Sequence, residues 1–207
     1  MKAIGISGDA TDANSIEHAI EQAVVILGGM RGLLTASAER KYGTLLDATD
    51  DDWKSRFESV VMGTVRSCRA VVPHMIKGGG GTIVTMAAYS ARCPKPYIIA
   101  YAAAKAAVVN ITNFARGYGE HDIRANCVCP GIVETARTRL RLEKLMAQHG
   151  VSHAAASRMD VQNMKMDVSL KRVGQPEEVT HVIALLLSER ASYTSGATIN
   201  VDGGTDF

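Results

Sequence analysis

The sequence predicts an α/β fold in which helices cover both faces of one parallel sheet. Short apolar runs alternate with longer segments whose apolar residues recur at helical spacing. Glycine and proline stand at the ends of most of these segments. The composition, 46% hydrophobic and 21% charged in 207 residues, is that of a globular chain and excludes a disordered or fibrous one. We therefore predict one domain, residues 1–207, with about five strands.

The first predicted elements are a strand, a helix and a second strand. Residues 3–6 form a short apolar run, and residues 14–27 have the periodicity of an amphipathic helix that Gly28 ends. Residues 32–35 form the second apolar run. We expect the two strands to pair directly, with the helix as a right-handed crossover between them.

A long helix is predicted next. Thr49 and the three aspartates that follow it are typical of a helix start, and the helix should continue to about Met75. Pro176 is typical of the first position of a later helix. The other predicted elements are strands at residues 82–86, 123–128 and 198–201, and helices at about 98–118 and 176–187.

Charge and cysteine content limit the classes of partner and site. The net charge of +2 favours neither a nucleic acid nor an anionic membrane as partner. Four cysteines form no disulfide framework, which predicts a cytoplasmic location, and six histidines show no ligand spacing, so no metal site is predicted. We interpret Cys127 and Cys129 as buried thiols facing opposite sides of one strand. The densest basic stretch, Arg137–Lys144, is interpreted as a solvated helix face, with contact to an anionic substrate as the alternative.

An ordered set of motifs carries a family likeness. Tyr101–Lys105 opens a helix of small residues, and the segments 124–131, 172–179, 195–196 and 201–204 follow it in order. The set resembles the short-chain dehydrogenase/reductase (SDR) family over almost the whole chain. That resemblance implies a Rossmann-like sandwich of three layers and a hydride exchange with NAD(P).

The resemblance assigns the proton transfer of such a reaction to Tyr101, beside Lys105. Residues four apart share one face of a helix, so both side chains can reach one cleft. A free tyrosine has a pKa of roughly 10, and a nearby ammonium lowers it. The alternative is that both residues are relics kept for packing.

The resemblance also implies a set of cofactor contacts. Asp9 corresponds to a residue that meets the adenine, and Thr35 to one that lies beside the cofactor. The contacts with the nicotinamide carboxamide would come from Pro130, Gly131, Val133 and Thr135.

Several features depart from the family pattern. The chain starts just before the family's third strand, so we expect a truncated Rossmann-like sheet without the first two strands and without the Gly-rich phosphate loop. The family's active-site serine corresponds to Ala88, and the asparagine of its long helix corresponds to Val60. These departures predict that this chain binds no cofactor itself.

The departures favour a non-catalytic subunit as the function. Such a subunit would support a full-length, active SDR partner that oxidises a hydroxyacyl-CoA-type substrate with NAD(P), in a heterotetramer or as a homo-oligomer. The family's assembly helices would be the long helix and the helix of Tyr101. The alternative is an NAD(P)-dependent oxidoreductase that acts on a carbonyl or alcohol through Tyr101 and Lys105. A misassigned start codon is the third possibility.

Overall fold

The computed structural model describes residues 3–38 and 42–205. Their strands form one parallel sheet in the order β1-β2-β3-β4, which confirms the predicted Rossmann-like α/β fold. The strands are β1 (Gly32–Thr35), β2 (Gly81–Met86), β3 (Ile123–Pro130) and β4 (Thr198–Val201). The helices are α1 (Ala13–Leu27), α2 (Asp50–Arg56), α3 (Gly63–Lys77), α4 (Ile99–Ile111), α5 (Ala136–His149), α6 (His153–Asn163) and α7 (Pro176–Leu187).

The predicted strand at residues 3–6 is wrong. Residues 3–9 form no strand in the described part of the chain, where the sheet has four strands instead of about five. The run is short and interrupted by Gly5, which weakens a strand. It also buries little, since Ile4 is 53% exposed. Strand β1 therefore pairs with β2, from Gly32 opposite Thr82 to Thr35 opposite Thr85, and not with this segment.

The predicted long helix is confirmed as a continuous helical segment from α2 to α3. The Thr49 side chain accepts a hydrogen bond from the Asp52 amide, and the Asp52 carboxylate accepts one from the Thr49 amide. These two bonds are the capping box expected at such a start. A π-helical segment, Phe57–Met62, joins the two α-helices and contains the fully buried Val60.

Helices pack against both faces of the sheet. Neighbouring residues of β2 point to opposite faces, as in any strand. Ile83 packs in a cluster with Val71 and Met75 of α3, whereas Val84 packs with Ile183 of α7. Helix α4 packs near the carboxyl ends of β2 and β3, and its small buried residues Ala100, Ala102 and Ala104 allow a close approach.

Gly131 directly follows β3, and its backbone packs closely against Asp202, the residue that follows β4. A Cβ atom at Gly131 would lie 2.7 Å from Asp202 Cα. We expect Gly131→Ala to lower the free energy of unfolding by about 1–3 kcal/mol, because the backbone must shift to admit the methyl group. Urea denaturation measures the change. Gly119→Ala is the control, since nothing lies within 4 Å of its Cβ position. Equal stability of both variants would contradict the prediction.

No helix among the described residues is long and apolar enough to cross a membrane.

Candidate active site

A cleft of about 410 Å³ opens at the carboxyl ends of β2 and β3. In parallel α/β sheets this edge is where ligands bind. Tyr101 of α4 lines the cleft, and so do Ala88 after β2 and Val133 after β3. Further lining residues include Leu34, Tyr42, Met86, Ala87, Tyr89, Pro130, Gly131, Ile132, Thr135, Arg137, Thr138, Arg141, Met164 and Ile183.

Lys105 lies one helical turn beyond Tyr101 and is 2% exposed. Its Nζ donates hydrogen bonds to the backbone carbonyls of Met86 at 2.7 Å and Ser37 at 3.1 Å. The same atom lies 5.9 Å from the centre of the Tyr101 ring. The structure therefore brings Tyr101 and Lys105 together. The lysine lies beneath the cleft, where it is hydrogen-bonded to the segment after β1 and to the end of β2.

Burial lowers the pKa of Lys105 to about 8 from the usual 10.5. Between these values the unfolded chain binds more protons than the folded chain, so stability should rise with pH from about 8 to about 10. We expect this rise, of about 1–3 kcal/mol, to be absent in Lys105→Met. Urea denaturation across this pH range measures it. The exposed Lys144→Met control should keep the wild-type slope, and an unchanged slope in Lys105→Met would refute the assignment.

The prediction that Cys127 and Cys129 are buried thiols is confirmed, but the prediction that they face opposite sides of the strand is wrong. Residues two apart in a strand share one face, and both thiols pack in one cluster with Val60 and Ala104. A hydrogen bond with Cys127 and burial both raise the pKa of Cys129. Among the described residues, no group of three or more His, Cys, Asp or Glu could hold a metal ion.

The two positions that depart from the family pattern lie in different environments. Ala88 lines the cleft in an extended conformation. Val60 lies inside the same apolar cluster as the two thiols and does not line the cleft. Ser90 is two residues beyond Ala88 in a short 3₁₀ turn, and its buried Oγ has no hydrogen-bond partner among the described residues.

The predicted cofactor contacts divide into two groups. Pro130, Gly131, Val133 and Thr135 line the cleft as a continuous stretch after β3. Asp9 does not line it. Its exposed carboxylate accepts hydrogen bonds from the amide and hydroxyl of Thr11, both at 2.8 Å, and these bonds lower its pKa.

The carboxyl edge of the sheet has features that fit a nicotinamide cofactor. Thr35 ends β1 there, and its buried Oγ1 has no hydrogen-bond partner among the described residues. Thr135 caps α5, so the positive end of that helix lies at the cleft. A hydroxyl without a partner and a helix N-terminus suit the ribose and phosphate groups of a dinucleotide.

Sequence reasoning missed the network that holds the segment after β3. The buried carboxylate of Glu134 accepts hydrogen bonds from Arg139 and Gln175 and pairs with His153. The Gln175 bond is the largest of the effects that lower its pKa. The position of Glu134 inside the Pro130–Thr135 motif was the sequence signal that could have identified this residue.

Comparison with known proteins supplies the family. The profile described as Enoyl-(Acyl carrier protein) reductase matches residues 1–206. Dehydrogenase/reductase SDR family member 4 of Bos taurus is 32% identical over 195 residues, which are 93% of this chain and 65% of that protein. The 3-oxoacyl-[acyl-carrier-protein] reductase of Thermotoga maritima is 31% identical over 95% of this chain and 74% of its own length.

The chain belongs to the SDR family. It spans 65% of the length of the bovine relative. Solved SDR structures share its fold. A short chain oxidoreductase of Pseudomonas aeruginosa PAO1 with an atypical catalytic center has a TM-score of 0.87 at 26% identity, covering 95% of this chain and 74% of that one. L-sorbose reductase of Gluconobacter frateurii, complexed with NADPH and L-sorbose, has a TM-score of 0.85 at 28% identity, covering 96% and 75%.

The expectation that this SDR chain binds no cofactor is wrong. The sorbose reductase binds NADPH in the shared fold, and a second structure of the Pseudomonas oxidoreductase is also NADPH-bound. The prediction relied on a missing phosphate loop, but the stretch after β3 lines the described cleft, and Thr35 offers a buried hydroxyl at the end of β1.

Proposed function

We propose that this SDR chain is an NAD(P)-dependent oxidoreductase that interconverts a carbonyl and an alcohol. The observation that carries the proposal is the placement of Tyr101 in the cleft, with the ammonium of Lys105 5.9 Å from its ring. The cofactor supplies or accepts the hydride when bound. Thr35 and the stretch from Pro130 to Thr135 would hold it.

Tyr101 handles the proton in this proposal. During reduction, the carbonyl oxygen gains negative charge, and the Tyr101 hydroxyl donates its proton to that oxygen. The positive charge of Lys105 favours the phenolate that remains. In the reverse direction the phenolate accepts the proton of the alcohol. Apolar side chains such as Met86, Ile132 and Ile183 line the same cleft and would leave few polar partners for water beside the reacting atoms.

Cofactor binding and turnover test the proposal separately. Titration of the purified protein with NADPH and NADH, followed by nicotinamide fluorescence, measures binding. Loss of nicotinamide absorbance with a panel of ketones and aldehydes measures turnover. We expect saturable binding of at least one cofactor and turnover of at least one carbonyl. Binding without any turnover would contradict the proposed reaction.

A second candidate is a non-catalytic subunit that supports an active SDR partner. Two observations favour it: Ala88 and Val60 stand where the family has polar groups, and an apolar groove of about 640 Å³ runs along α3, where a partner helix would fit. The pattern resembles the degenerate subunit of a heteromeric 2-(hydroxybenzyl)succinyl-CoA dehydrogenase. Co-purification with a full-length relative tests this candidate, and a chain that stays monomeric and turns over substrate alone would exclude it.

A further inference from the structure

Among the described residues, the charged side chains that line the cleft are all positive. Its charged lining residues are Arg137 and Arg141 of α5, and no acidic side chain of the described residues lines it. The rest of the lining is mainly apolar. Few other ionic groups therefore compete with these arginines for a ligand. The two arginines differ in how far their charges are already neutralised.

Arg141 is committed to an ion pair within the protein. Its Nε and Nη2 donate to the two carboxylate oxygens of Asp160 at 3.0 and 2.9 Å. Asp160 belongs to α6 and is almost fully buried, so this bidentate pair joins α5 to α6. Because the fork of the guanidinium is used on Asp160, Arg141 has little capacity left for a ligand.

Arg137 has no such carboxylate partner among the described residues. Its guanidinium carbon lies 5.4 Å from the centre of the Tyr42 ring, which orients the group without neutralising its charge. Its neighbour Arg139, two residues along the same helix, pairs with Glu134 instead. Arg137 is therefore the arginine of this helix whose charge is presented to the cleft.

We propose that the substrate of this SDR chain carries an anionic group, which Arg137 binds. This substrate class rests on the proposed oxidoreductase function. A guanidinium matches a carboxylate, phosphate or sulfonate with two parallel hydrogen bonds. Arg137 also lies in the first turn of α5, where the helix dipole favours an anion. The carbonyl at Tyr101 and the anion at Arg137 occupy one cleft of about 410 Å³, so both groups belong to one compact molecule or to one end of a longer one.

The phosphates of the cofactor are the competing partner for Arg137, and the test must separate the two. Acetoacetate and levulinate are ketones with a carboxylate at two different spacings, and their methyl esters are matched neutral compounds. The proteins compared are the wild type, Arg137→Gln and Lys144→Gln. The last removes one positive charge from the same helix at an exposed position that does not line the cleft.

Acid-over-ester preference is the decisive measurement. We expect the wild type to prefer at least one acid over its ester by about tenfold in kcat/KM. Arg137→Gln should abolish this preference and keep the Kd for NADPH, whereas Lys144→Gln should keep both. An equal loss for acid and ester in Arg137→Gln, or a weaker NADPH Kd with the preference intact, would overturn the proposal.

Binding without turnover keeps the proposal falsifiable if the oxidoreductase function fails. Calorimetry measures the Kd of acid and ester with the protein alone. Acid binding that is about tenfold tighter than ester binding, and that Arg137→Gln removes, would support anion recognition even if no carbonyl is reduced. Equal binding of acid and ester to the wild type would refute it, whatever the enzyme assay shows.

Discussion

Replacement of Tyr101 by phenylalanine is expected to lower kcat by about 10²–10⁴-fold, the usual contribution of a positioned proton donor. The change removes one hydroxyl and keeps the ring that lies near Lys105, so the fold and the Kd for NADPH should be unchanged. Steady-state kinetics measures kcat, and fluorescence titration measures the Kd. Tyr193→Phe is the control, because it makes the same chemical change on a fully exposed side chain.

An unchanged kcat in Tyr101→Phe would remove this residue from the chemistry. Turnover would then have to come from another group or from a partner subunit. Loss of both turnover and NADPH binding would instead indicate that the tyrosine shapes the cofactor site. The three outcomes are separated because binding and turnover are measured on the same protein.

Ala88→Ser is expected to raise kcat by about tenfold or more. The resemblance to the family assigns a serine to this position, where its hydroxyl would stabilise the substrate oxygen. Loss of such a donor costs about 10²–10³-fold in other enzymes, which sets the upper limit of the gain. Ala88 already lines the cleft in an extended conformation, so the added hydroxyl needs no backbone change. Steady-state kinetics on one carbonyl substrate measures the change.

Ser90→Ala provides the matched comparison for this prediction. If Ser90 already supplies the missing hydroxyl, its removal will lower kcat, and Ala88→Ser will add little. If Ser90 has no role, its removal will leave kcat unchanged. A decrease in kcat in Ala88→Ser itself would show that the cleft does not use a donor at this position.

The elements with strong local signals were predictable from the sequence. Thr49 with its aspartates and Pro176 mark the starts of α2 and α7 because capping chemistry is local. The run at residues 3–6 has the composition of a strand, but a strand exists only where another pairs with it. The run forms no strand because this requirement depends on residues far away in the sequence.

The candidate site was predictable where it follows motifs, and not where it depends on tertiary pairing. Tyr101, Lys105 and the stretch after β3 are positioned by local elements, and the structure brings them together. By contrast, the pairing of Arg141 with Asp160 joins residues 19 apart on different helices. The spacing of residues along the chain does not show which arginine pairs with a carboxylate. That Arg141 is paired with Asp160 while Arg137 lies over the Tyr42 ring is therefore seen only in the packed structure.

The π-helical segment Phe57–Met62 determines where the continuous helix from α2 to α3 can gain or lose a residue. An α-helix rotates by about 100° per residue, and a π turn contains one residue more than the matching α turn. The wide turn therefore accommodates one extra residue between α2, which packs against α4, and α3, which packs against α1. A single deletion within this π turn would restore an α turn and leave Val71 and Met75 facing the sheet, whereas a deletion in α3 before Val71 would rotate α2 and α3 relative to each other by about 100°.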